Sequence, residues 1–192
     1  AVKKEATAKA RAEQELAMRI LARKRMLPFV EKFNPDYQAG WVHKDICQRL
    51  EQFSQDVQDK KSPRLMLFMP PRHGKSTLAS IAFPAWHLGR NPGHEFISCS
   101  YSGSLAMSFS RKVRQVLREP NYKNVFEKAR LDKDSQSVES WQTTQGGGYV
   151  AAGVGGGITG KGAHILLIDD PVKNREDAES ENNREATWDW YT

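Results

Sequence analysis

Leu65-Met66-Leu67-Phe68-Met69-Pro70-Pro71-Arg72-His73-Gly74-Lys75-Ser76-Thr77 is the stretch whose reading decides the fold. An apolar run ends in a tight Pro/Arg/His/Gly segment, and Lys-Ser-Thr then opens a helix. That is the layout of a phosphate-binding loop. Backbone N–H groups wrap phosphates, Lys75 reaches the outer phosphates, and the Ser76 hydroxyl holds Mg²⁺. The helix that follows aims its positive dipole end at the anion. In the usual spacing a glycine opens the loop, and here that position is Met69. A bare Gly-Lys-Ser/Thr arises by chance in roughly one chain in ten of this length. The triplet therefore draws its weight from the preceding strand, the Pro-Pro break and a second motif.

That second motif is Ile165-Leu166-Leu167-Ile168-Asp169-Asp170. Four apolar residues read as a strand buried on both faces. Two carboxylates emerge at its C-terminal end, where open α/β sheets hold ligands. They follow Lys75 by 94 and 95 residues. Asp169 is assigned to Mg²⁺ and Asp170 to polarising the attacking water as general base. Most ATPases of the additional-strand type carry Glu at the second position. Asp is about 1.5 Å shorter, so Asp170 needs a closer strand end or an intermediary to act.

Outward from these motifs, 192 residues suit one domain with a real core. The longest apolar runs are too short for a transmembrane helix, and the charged N-terminus lacks the apolar stretch of a secretory signal. Cys47 and Cys99 read as buried thiols in a reducing compartment. The net charge is +6 and unevenly spread, since residues 1–25 hold eight Lys/Arg against three Glu. That segment reads either as a solvated helix face or as a contact for an acidic partner such as DNA, or for another subunit.

The coarse elements alternate. Residues 4–26 lack Gly and Pro and read as a helix with a thin apolar stripe (Leu16, Ile20, Leu21), stopped by Pro28. Asn34-Pro35-Asp36 is a turn, and a helix runs from Asp45 to about Asp59. Arg64–Met69 is the first strong strand. Lys75–Ala82 is a helix interrupted by Pro84 and continued by Ala85–Arg90. Glu95–Tyr101 is the second strand, and Ser104–Glu119 an amphipathic helix closed by Pro120. Gly146-Gly147-Gly148 joins Ser140–Thr144 to Tyr149–Ala152 as a hairpin. His164–Ile168 is the third strong strand, and Asn174 caps a helix running from Arg175 towards Trp190. The expected fold is α/β, a P-loop NTPase of the additional-strand type with a mostly parallel central sheet flanked by helices. Residues 1–27 form a basic N-terminal helix and 28–192 the ATPase domain.

Together, Pro70-Pro71-Arg72-His73-Gly74-Lys75-Ser76, Ser100-Tyr101-Ser102, Gly160-Lys161-Gly162-Ala163 and Leu167-Ile168-Asp169-Asp170-Pro171 resemble the large terminase subunit of tailed bacteriophages. Pro35-Asp36-Tyr37 and Gly40-Trp41-Val42-His43 are similar to that family as well. The likeness covers roughly residues 28–192. It implies the N-terminal ATPase of a DNA-packaging motor, with the coupling motif and an RNase H-type nuclease domain expected beyond Thr192. The start at Ala1 and the stop after Trp188-Asp189-Trp190-Tyr191-Thr192 read as an excised or truncated piece.

The resemblance assigns further roles. ATP lies against Pro71, Arg72, His73, Gly74, Lys75, Ser76 and Thr77, with Arg72 touching the γ-phosphate from the same subunit and His73 shaping the loop. Gln38, Trp41 and His43, with Tyr37, lie on the adenine side. Lys161 is the nearest basic residue to the position of a finger inserted into a neighbouring subunit. Ser76 and Asp169 hold Mg²⁺. The implied partners are double-stranded DNA, the portal protein and procapsid, the small terminase subunit and further copies in a ring on the portal, with no membrane. The implied location is the host cytoplasm, transiently on the procapsid. Two alternatives are a helicase-like or DNA-remodelling ATPase and a non-hydrolysing, nucleotide-dependent assembly module. DNA-strand displacement separates the first, and steady DNA-stimulated ATP turnover dismisses the second.

Overall fold

The computed structural model describes residues 2–158 and 160–192, with the backbone alone for 2–6 and 136. The side chains of Lys3, Lys4 and Glu5, counted in the basic surplus, lie outside the described residues. Helix α1 (Val2–Lys24) breaks at Arg25, not at Pro28, and α2 (Met26–Phe33) follows at once. Pro28 falls in the first turn of α2, where a missing N–H costs no helical bond. Glu51 instead accepts from the Met26 N–H at 2.6 Å. The end of α1 is part of the core: Ala22 and Met26 are fully buried, and Trp86 Nε1 donates to the Ala22 carbonyl at 3.1 Å. Leu16, Ile20 and Leu21 remain exposed.

Helix α3 (Trp41–Gln58) begins four residues earlier than its apolar spacing suggests. The chain after Lys75 takes a π turn, Thr77–Ala82, and runs straight into α4 (Phe83–Arg90). Pro84 therefore does not interrupt the helix. A proline ring strikes the carbonyl four residues back. The wider π turn opens the ladder there, with the Phe83 N–H bonding to the Leu78 carbonyl five residues back.

Among the described residues the sheet has five strands in the order β2-β3-β4-β1-β5. These are β1 (Glu95–Ser100), β2 (Leu131–Gln136), β3 (Ser140–Thr143), β4 (Gly148–Gly153) and β5 (Ile165–Asp169). Strand β1 is parallel to β4 and β5, whereas β2–β3 and β3–β4 are antiparallel. The sheet is thus mixed, which corrects the expectation of a mostly parallel one. The Gly146–Gly148 turn reverses the chain in a few residues, and only antiparallel neighbours can be joined so tightly.

The stretch Arg64–Met69, expected as the first strand, pairs with no strand among the described residues. It keeps the alternation of one: Leu65, Leu67 and Met69 pack on the core, while Met66 and Phe68 are 79% and 88% exposed. Alternation specifies an extended chain with one buried face. A ladder also needs a facing edge in register. Strand β5 has β1 as its one neighbour among the described residues, and Leu166 on it is 45% exposed.

Helix α5 (Gly103–Arg118) packs on β1 and β4, and α6 (Pro120–Val125) starts with Pro120, which opens a helix as well as closing one. The expected single C-terminal helix is two, α7 (Arg175–Glu179) and α8 (Glu181–Tyr191). Asn174 caps the first, as expected, and Ser180 breaks the run by capping the second. No helix among the described residues is long and apolar enough to cross a membrane. Cys47 and Cys99 are buried free thiols, and burial pushes the Cys47 pKa up to about 12.

One end of the core is aromatic. Phe29, Phe33, Tyr122 and Phe126 meet at ring distances of 4.7–6.3 Å, and Tyr122 donates to the Ala85 carbonyl at 2.7 Å. Across the sheet, Trp141 stacks on its cross-strand partner Tyr149 at 5.2 Å. Its Nε1 donates to Ser110 Oγ at 2.9 Å, and Ser110 donates to the Val138 carbonyl at 2.6 Å, tying α5 to the hairpin.

A Cβ added at Gly89 would overlap the Phe126 ring. Overpacking costs about 1–3 kcal/mol, more than the up to ~1 kcal/mol that alanine adds within a helix. Gly89→Ala should lower the Tm by roughly 2–8 °C in a circular-dichroism melt; a raised Tm would contradict this packing.

Buried His87 bonds Ser54 Oγ at 2.8 Å through Nδ1 and His94 Nδ1 at 3.0 Å through Nε2, while His94 stacks on His164 at 4.2 Å. Burial first, then His94, Arg90 and His164, pushes His87 down to about 3; burial and His164 lower His94. The unfolded chain then takes up protons that the fold refuses. This contribution to stability is whole above about pH 6.5 and falls as pH drops towards 3. Urea titrations between pH 5 and 6.5 should show stability rising with pH by up to about 1.4 kcal/mol per unit for each such histidine, with a flatter slope in His87→Gln.

Candidate functional site

Asp169 and Asp170 stand at the C-terminal end of β5, and three bonds lock that end to its neighbours. Ser100 Oγ donates to the Asp169 carbonyl at 2.7 Å, and the Tyr101 N–H donates to the Asp170 carbonyl at 3.0 Å. Ser80 Oγ donates to Asp169 Oδ2 at 2.7 Å. The Asp169 side chain is 6% exposed and that of Asp170 57%. One acid is therefore held in place, while the other stands open to water with its backbone in the left-handed region, at φ +49°.

Lys75 reaches both. Its Nζ lies 3.2 Å from Asp169 and pairs with Asp170. Burial alone would lower its pKa. The hydrogen bonds and charges of Asp170 and Asp169 outweigh that and raise it, so Lys75 is a cation throughout the neutral range. The two motifs, far apart in the sequence, meet at one point. Leu67, Phe68, Met69, Pro70, Lys75 and Asp170 line an open cleft of about 480 Å³.

The loop before Lys75 is a tight nest. Arg72 and Gly74 both take positive φ, +62° and +83°, in the alternation that turns backbone N–H groups towards an anion. Gly74 costs nothing in that conformation, whereas Arg72 is strained. Arg72 and His73 point out to solvent. His73 Nδ1 donates to the Pro71 carbonyl at 2.8 Å, a bond within the loop itself. Ser76 and Thr77 follow in the first helical turns.

His43 straps this loop to α3. Its Nδ1 accepts from the Gly40 N–H at 3.0 Å, which leaves the proton on Nε2 to donate to the His73 carbonyl at 3.1 Å. Both ring nitrogens are thus engaged within the protein. The Tyr37 ring lies 5.5 Å from the His43 ring, and its hydroxyl has no hydrogen-bond partner among the described residues. Burial, then the nearby Cys47, pushes the Tyr37 pKa up to about 12. Gln38 is exposed, and Trp41 is 82% exposed, with its ring open to a stacking partner.

Lys161 does not join this cluster. It is an exposed loop residue that precedes the other end of β5, opposite Asp169. Ser80 was not legible in the sequence. It follows Lys75 by five residues, a spacing that puts two side chains on one face only where the helix widens to i+5. The Pro84 that forces the widening is the signal that could have found it.

Among the described residues no three His, Cys, Asp or Glu side chains are arranged to hold a metal ion. Mg²⁺ needs no such cage, since it keeps waters and takes one or two protein oxygens beside phosphate. Asp169, 3.2 Å from Lys75 Nζ, and the hydroxyl of Ser76, next in the chain, are hard oxygens of that kind.

No curated protein matches the chain. The family described as terminase large subunit, T4likevirus-type, N-terminal, matches residues 66–192. That span includes the loop, the π turn, all five strands and the acid pair, and it is well over half of the sequence. The chain therefore belongs to the N-terminal domain family of T4-type terminase large subunits.

Proposed function

We propose that this chain is the ATP-hydrolysing motor domain of a phage terminase large subunit, with a P-loop fold of the additional-strand type, and that it drives double-stranded DNA into a procapsid. The observation that carries the reading is Lys75 Nζ between Asp169 and Asp170 at the mouth of a positive-φ loop. A lysine held by two carboxylates is a cation waiting for a better anion. The triphosphate of ATP supplies it, and Lys75 transfers from the acids to the β/γ oxygens.

The roles then divide by burial. Asp169, fixed by Ser80, and Ser76 supply oxygens to Mg²⁺, which when bound neutralises charge on the phosphates. Asp170 is exposed and reaches water, as a general base must. Arg72 and the loop N–H groups meet the charge that develops on the γ-phosphoryl oxygens. Trp41 and Gln38 take the adenine side by stacking and edge contact, while His43 holds the loop in shape. Lys161 reaches such a site only from a neighbouring subunit in a ring. The portal, the procapsid, the small terminase subunit and the host cytoplasm complete this setting.

Steady-state ATP turnover tests it. Lys75→Ala and Asp169→Ala should each abolish hydrolysis, and near-normal turnover in either would refute the assignment. Ser80→Ala should lower turnover on the order of tenfold, the effect of losing one charge-assisted bond, and raise the Mg²⁺ needed for half-maximal rate. Ser80→Thr should restore both.

A further inference from the structure

Helix α5 carries four cations, Arg111, Lys112, Arg114 and Arg118, and no carboxylate. Arg111, Arg114 and Arg118 stand at i, i+3 and i+7, which puts them on one stripe of the helix. Compensation of the helix dipole explains a cation in the last turn only. Arg118 is such a residue, but Arg111 lies two turns further in.

Arg114 is the anomaly within the stripe. It is only 7% exposed, and its Nε is enclosed with no hydrogen-bond partner among the described residues. Burial pushes its pKa down, and the charge next to it, Arg118, pushes the same way. Among the described residues neither Arg111 nor Arg114 enters an ion pair. A desolvated guanidinium facing another cation is a costly feature to keep. An arriving anion offsets that cost. Ser110, one turn before Arg114 on the same face, donates to the Val138 carbonyl. Arg114 thus follows the seam between α5 and the β2–β3 turn, with the exposed Arg111 and Arg118 on its outer side.

We propose that this arginine stripe is a contact for the phosphate backbone of double-stranded DNA, in which Arg111 and Arg118 meet phosphates and Arg114 is the seated cation between them. The partner rests on the packaging reading above; the site is separate from the ATP cleft. From Arg111 to Arg118 the helix rises roughly 10 Å. A duplex presents a phosphate about every 3.4 Å of rise along each strand, so a row of this length faces several. Planar guanidinium forks suit phosphate oxygens better than ammonium groups do. An acidic peptide is the competing anion, but a row of like charges with no interspersed acid or apolar anchor matches a uniform polyanion better.

The test is fluorescence anisotropy of a labelled 30-base-pair duplex titrated with the chain between 50 and 200 mM salt. Arg111→Ala/Arg118→Ala should weaken binding for all sequences and reduce the slope of log Kd against log salt by about 2, one per lost phosphate contact. DNA-independent ATP turnover should hold in the double variant, and the Tm should hold in Arg111→Ala alone, whose side chain is exposed. Arg114→Gln should lower DNA affinity without lowering the Tm, since it removes an unpaired buried charge. Unchanged affinity and slope in the double variant would overturn the proposal. So would a loss found only in Lys9→Ala/Arg11→Ala on α1, or a double variant that loses a decaglutamate peptide but keeps DNA. A sharp Tm loss in Arg114→Gln with intact DNA binding would make that residue structural and remove it from the site. Absence of ATP turnover in the wild type would count against the motor reading alone, because the DNA titration needs no nucleotide.

Discussion

Asp169 is a carboxylate buried at the end of a strand, and its burial has to be compensated. A desolvated charge is tolerated only where hydrogen bonds and an opposite charge meet it. Ser80 and Lys75 supply these, one at each carboxylate oxygen. Ser80 reaches it because the helix after the loop opens into a π turn, and Pro84 is accommodated by that same opening. The backbone of Asp169 is tied in turn by Ser100 on β1. The loop, the helix and two strands therefore converge on one residue. Displacing it would disturb all four.

Much of this was legible in the sequence, for local reasons. The Gly74-Lys75-Ser76 loop and the Asp169-Asp170 pair each carry their chemistry in adjacent residues, and the structure brings Lys75 against both acids. The amphipathic pattern of residues 104–119 and the glycine-joined hairpin were visible in the same way. Asn174 marked its helix start, though Ser180 split the helix that was expected to follow.

The remainder depends on partners that no local pattern names. Arg64–Met69 has the alternation of a strand and no ladder among the described residues, because pairing belongs to two segments and alternation to one. The mixed sheet follows from a hairpin turn whose consequence for strand direction outweighs the α/β alternation. Ser80 and Arg114 were invisible for a related reason. One depends on a change of helical pitch, and the other stands out only once its burial and lack of an anion are known. His43 was expected on the adenine side; the bonds that engage it, from the Gly40 N–H to Nδ1 and from Nε2 to the His73 carbonyl, were not legible in its spacing.

The central claim is that Lys75 is parked on the acid pair in the free protein and moves to phosphate when nucleotide binds. The most direct measurement is the position of Lys75 Nζ in crystals of the chain with Mg²⁺ and a non-hydrolysable ATP analogue. The account predicts that Nζ leaves Asp170 for the β/γ-phosphate oxygens while the Ser80–Asp169 bond persists. A nucleotide bound elsewhere, or Lys75 still paired to both acids beside a bound triphosphate, would contradict it.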